Sequence, residues 1–190
     1  MVSDDEELGL LSAAVEAMDT NRAQEVLLSL LLRRPVTDAL ALAESRIRAG
    51  LPWFLSDRPR DPWTEAALAE PTTPPPPDYE GPGENNFVNA IDNFNCARLA
   101  PGDHRKACQL VVAAVAGAIV AAAWHAYGTK HPEGWARWYK EAYEIDRTSR
   151  SEAVRRFDEG YFADQDVVRI RKEEWGAVIR WLSSHPPPAQ

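Results

Sequence analysis

The chain holds 190 residues and 21.2 kDa, enough for one well-cored domain with an appendage and too short for two large catalytic domains. Hydrophobic residues at 45% and charged ones at 26% exclude wholesale disorder. Residues 1–83 carry 7 Lys/Arg against 15 Asp/Glu and residues 84–190 carry 14 of each, so the whole net charge of −8 lies in the first part; with a pI near 5.0 this argues against a sequence-independent nucleic-acid binder, which needs a basic surface.

Met1 is followed by Ser3, Asp4, Asp5, Glu6 and Glu7, where a secretory signal would need positive charge and then an apolar core, so the start reads as cytoplasmic. Three helices are expected next. Leu8, Leu11, Val15 and Met18 mark the first and Val26, Leu27, Leu30 and Leu31 the second, which Arg34 ends ahead of Pro35. Thr37 or Asp38 is expected to cap the third, with Leu40, Ala43 and Ile47 as its stripe and Gly50 at its end.

Nine prolines fall between Pro52 and Pro82, including Pro74 to Pro77 in succession, a density that neither a long helix nor a central strand tolerates. This stretch reads as a stiff spacer containing one short helix, opened by Asp61, Pro62 and Glu65 and ending at Leu68.

A helix over 84–99 and a longer one over 103–127 are broken by Pro101 and Gly102 and should form a hairpin, with Phe87 near Gly117 and Phe94 near Leu110. Leu110 to Trp124 is the most apolar run, 15 residues containing Gly117, whereas a membrane span needs about 20. It reads as the buried centre. Pro132 opens an aromatic helix over 132–146 with Trp135, Trp138, Tyr139, Ala142 and Tyr143 as its stripe. Ser149 and Glu152 should form a capping box for a helix carrying Val154 and Phe157, with Gly160 near its end. Residues 164–182 favour a last helix over a short strand at 167–170, and Pro186 to Pro188 should fray.

The expected fold is therefore all-α: an N-terminal helical segment over 1–51, a proline-rich connector over 52–83, a five-helix bundle over 84–184 and a tail over 185–190.

No local metal site is expected, because His104, His125, His131 and His185 form neither HExxH nor an i, i+4 ligand pair, and Cys96 and Cys108 have no zinc spacing. No cofactor motif is present either. His104 lies one turn before Cys108, but a thiol on an Ala/Val-rich helix reads as a small buried hydrophobe, and no catalytic residue is assigned. Asn85, Asn89, Asp92, Asn93 and Cys96 share one side of their helix, which reads as a solvated face or as a recognition stripe. Trp135, Trp138, Tyr139 and Tyr143 alternate with Arg137, Lys140, Arg147, Arg150, Arg155 and Arg156 in the manner of a base-stacking surface. Pairing of Arg137 with Glu141 and Lys140 with Glu144 favours a core stripe beside a solvated face.

Arg outnumbers Lys 17 to 4, which points to a GC-rich, bacterial coding sequence. The expectation is a non-catalytic partner-binding protein of the bacterial cytoplasm, in its most concrete form an immunity-protein or antitoxin-type inhibitor of a protein partner. That partner should be basic, steered by a mobile cluster of Asp4, Asp5, Glu6 and Glu7, with neither nucleic acid nor membrane involved. The alternative is a helical enzyme or small-molecule binder with a pocket among Asn85, Asn89, Asp92, Asn93, His104, His125, Trp135 and Tyr139.

Overall fold

The computed structural model describes residues 3–56, 62–74, 79, 81–100, 102–140 and 152–188. Among them every long regular element is an α-helix: α1 Asp4–Glu16, α2 Thr20–Leu31, α3 Val36–Ser56, α4 Pro62–Ala69, α5 Glu84–Arg98, α6 His104–Lys130, α7 Pro132–Tyr139, α8 Glu152–Ala163 and α9 Gln165–Ser184. The fold is all-α, and residues 165–184 form a helix, as expected. Asp61, Pro75 to Pro77, Pro101, Glu141, Ala142, Tyr143, Glu144, Arg147, Ser149 and Arg150 lie outside the described residues.

One aliphatic core joins both halves of the chain. Leu11 of α1, Leu27 and Leu30 of α2 and Leu42 and Ile47 of α3 meet Phe87 and Ile91 of α5, Val111, Val115 and Ile119 of α6, and Trp175 and Leu182 of α9. α9 returns across the molecule to pack on α1, α3 and α6. By length and composition α6 could cross a membrane, yet 61% of its most apolar window is buried inside the bundle.

The helix ends differ from expectation at three places, each for a packing reason. α3 starts at Val36, with the N–H groups of Asp38 and Ala39 donating to the Pro35 carbonyl at 3.0 and 3.3 Å, so Thr37 and Asp38 lie inside the helix instead of capping it. It continues past Gly50 and through Pro52 to Ser56, because the extra turn buries Phe54 and packs Trp53 against the core. α6 runs through Gly128 to Lys130; Gly128 packs so closely under Pro82 that an added Cβ would lie 2.3 Å from the proline ring.

α5 and α6 form the expected hairpin in a shifted register. A Cβ on Gly117 would lie 3.3 Å from that of Ala90, so Ala90, not Phe87, faces Gly117. Phe87 instead packs on α3, where a Cβ on Gly50 would come within 2.5 Å of its ring. At the head of the hairpin Gly83 holds the left-handed φ of 76° and presses on the Ala121 carbonyl, a close approach that only glycine permits. The C-terminal carbonyls of α4 are satisfied by α5: Asn95 donates to the Ala67 carbonyl at 3.1 Å, and Arg98 donates to Ala67 and Leu68 at 2.9 and 3.0 Å.

Candidate functional site

The acidic start of the chain is ordered. Ser3 accepts from the Glu6 N–H at 3.2 Å while the Glu6 carboxylate accepts from the Ser3 N–H at 2.8 Å, a capping box that makes Asp4 to Glu7 the first turn of α1. These hydrogen bonds hold the Glu6 carboxyl below its ordinary pKa.

Asp4 and Glu7 face two arginines at the α2–α3 turn. Arg33 donates to Glu7 at 2.5 Å and to Asp4 at 3.2 Å. Arg34, 1% exposed, uses all five of its donors. Nε reaches the His185 carbonyl at 2.9 Å, and the terminal nitrogens reach both Asp4 oxygens at 3.1 and 2.8 Å, the Leu30 carbonyl at 2.8 Å and the Leu182 carbonyl at 3.4 Å. The expected mobile cluster is thus divided. Asp4 and Glu7 neutralise buried or half-buried arginines, Glu6 caps, and Asp5 is exposed. The signal for the cap, Ser-x-x-Glu at 3–6, was readable in the chain; the role of Arg34 was not, since its partners come from elements some 30 and 150 positions away.

Behind this turn, α1 and α2 enclose a groove of about 210 Å³ lined by Glu7, Leu10, Arg22, Glu25, Val26 and Ser29. Leu10 is 44% exposed in it, Ser29 donates to Glu7 at 2.9 Å, and Arg22 pairs with Glu25 at 3.1 Å.

The residues expected to line a pocket are not gathered into one. His104 is exposed at the first turn of α6 and His125 lies near its other end, about 30 Å along the helix at 1.5 Å per residue. His125 stacks on Trp53 of α3 at 4.4 Å. On α5, Asn89 is exposed, Asn85, Asp92 and Asn93 are half-buried, and the Asn93 amide donates back to the Asn89 carbonyl at 2.9 Å. Burial raises the Asp92 pKa. Cys96 is exposed and Cys108 buried, both as free thiols, with burial pushing the Cys108 thiol up. Among the described residues no three His, Cys, Asp or Glu side chains are placed to hold a metal ion.

Trp135 and Tyr139 belong to an aromatic nest built where α6 ends. Trp124 stacks on Tyr161 of α8 at 3.9 Å and lies 5.6 and 5.1 Å from Trp135 and Trp138 of α7. The Trp138 indole donates to Asp158 at 2.7 Å. Two glycines admit the rings: a Cβ on Gly134 would lie 2.7 Å from Phe157, and one on Gly160 would lie 2.6 Å from the Tyr127 hydroxyl. Beside the nest opens a cleft of about 400 Å³ lined by Tyr127, His131, Pro132, Glu133, Gly134 and Phe157. Its rings converge: Tyr127 lies 5.0 Å from Phe157 and 4.5 Å from His131.

The Tyr127 hydroxyl donates to the Phe157 carbonyl at 3.5 Å, and its pKa is raised by burial and by the charge of Asp164. Lys130 is held by Asp164 and Asp166 at 3.2 and 3.0 Å. Of these lining residues the sequence marks Pro132 as a helix start and Phe157 as part of a helix, and none as part of a pocket. No motif marks the cleft, because it needs the α8 rings to meet the α6–α7 junction. No family model matches the chain, and no curated protein or solved structure shows significant similarity to it.

Proposed function

We propose that this chain is a non-catalytic partner-binding protein, an immunity- or antitoxin-type inhibitor that captures a basic protein segment on the face formed by α1 and α2. The observation that carries this reading is the groove between those helices, where exposed Leu10 and the Val26 floor lie beside Glu7 and Glu25. An apolar anchor beside these carboxylates, which pair with Arg33 and Arg22, suits a partner segment that presents an aliphatic or aromatic side chain next to a Lys or Arg able to compete for them. The charge distribution supports it, since the part of the chain containing this face holds the entire net charge of −8.

The test compares capture from a lysate of the source organism by tagged wild type, Leu10→Arg and Glu25→Lys. Both positions are exposed, so the variants should keep the helical circular dichroism of the wild type. A basic protein retained by wild type and lost from both variants is the expected result. Retention unchanged by both substitutions, or no protein retained by wild type, would overturn the reading.

A further inference from the structure

We propose that the cleft between α7 and α8 binds a small organic cation, an alkylated or methylated ammonium, against the rings of Tyr127 and Phe157 with Glu133 at its mouth. The volume of about 400 Å³ falls in the range of small-ligand sites. Tyr127, His131 and Phe157 contribute rings to its lining, and faces of Tyr and Phe carry the negative part of the ring quadrupole, which attracts a cation once water is displaced.

The surrounding charges point the same way. Glu133 lines the cleft and is exposed. Lys130, the cation beside Tyr127, is neutralised by two carboxylates, Asp164 and Asp166, so the local balance with Glu133 is negative. Burial raises the Tyr127 pKa, and the Asp164 charge raises it further against the opposing charge of Lys130. An anion would meet the Glu133 carboxylate, which lines the cleft. A neutral apolar ligand would gain no charge attraction from Glu133.

Gly134 sits on Phe157 and Gly160 on the Tyr127 hydroxyl with no room for a Cβ at either, which sets the two rings against α7 and α8. His131 is set by the helix junction, its N–H donating to the Tyr127 and Gly128 carbonyls at 3.0 and 3.2 Å.

The test titrates the full chain with choline and with its neutral isostere 3,3-dimethylbutanol, following tryptophan fluorescence, to which Trp124 and Trp135 beside the cleft contribute, and confirming binding by calorimetry. Choline should saturate below about 10 mM and bind at least about tenfold more tightly than the isostere. Glu133→Gln, at an exposed position, should weaken choline about three- to tenfold without changing the unfolding midpoint. Phe157→Leu should weaken it further, and if that variant unfolds, Tyr127→Phe serves as the control that keeps the ring and should retain binding. Equal affinity for choline and the isostere, no saturation by choline, or insensitivity to Glu133→Gln would each overturn the proposal. These outcomes are independent of the α1–α2 face.

Discussion

The aliphatic core and the aromatic nest solve the same packing problem with different side chains. Around α6 the helices meet through Ala, Val and Gly, and Gly117 lies against Ala90 at contact distance. Such surfaces interdigitate and leave little space. At the α6–α7–α8 end the fill comes from Trp124, Tyr127, Trp135, Trp138, Phe157 and Tyr161, rigid plates that satisfy edge-to-face and stacked geometries and leave a cleft where the plates diverge. Polar groups differ too. The core closes with Arg34 and with Asn95 and Arg98 on helix carbonyls, whereas the nest ties an indole N–H to a surface carboxylate.

This contrast predicts where substitutions hurt. The largest effect should come from Asp4→Ala, which strips the carboxylate from a guanidinium that is 1% exposed and should cost about 3–5 kcal/mol in urea unfolding. Gly83→Ala should cost about 3 kcal/mol, combining a left-handed backbone with a Cβ driven into the Ala121 carbonyl. Gly117→Leu should cost about 1–3 kcal/mol by overpacking against Ala90. If Gly117→Leu left the unfolding midpoint unchanged, the tight hairpin would be wrong.

Two tryptophans sharpen the comparison. The buried Trp53 indole nitrogen has no hydrogen-bond partner among the described residues, while that of Trp138 has Asp158. Trp138→Phe should therefore cost about 1 kcal/mol more than Trp53→Phe in the same unfolding assay. Equal losses would mean that the nest is held by ring contact alone.

Tyr161 gives a pH signature of the nest. Burial pushes its pKa up to about 12 from 10, so the folded protein keeps a proton that the unfolded chain releases. The associated stability is intact below pH 10 and is lost as pH rises from 10 to 12, a fall of about 3 kcal/mol in unfolding free energy. Tyr161→Phe should flatten that fall. The smallest effect is expected at Gly9, which has open space around its Cβ position in α1: Gly9→Ala should stabilise by about 0.5–1 kcal/mol.

Local pattern told most of the fold. Leu11, Val15, Val26, Leu27 and Leu30 recur at helical spacing and all are buried, and Pro62 and Pro132 stand at the starts of α4 and α7. What spacing does not carry is the third partner. Hairpin arithmetic sets Phe87 against α6, yet Gly50, beyond a proline-rich stretch, offers the gap that its ring fills. The candidate sites were less legible for the same reason. Asp4 to Glu7 read as a free charge cluster because Arg33 and Arg34, which bind two of them, lie on another element, and the Tyr127–Phe157 cleft spans 30 positions.

The Arg34 guanidinium also has a kinetic meaning. It joins Asp4 and His185, partners 30 and 151 positions away, so its bonds close only after α1, α2 and α9 have docked and are expected to be absent from the folding transition state. Interactions formed that late act on escape from the native state more than on arrival. Asp4→Ala should accordingly raise the unfolding limb of a chevron at unchanged slope while the refolding limb stays nearly in place, making this single side chain a latch on the lifetime of the folded protein.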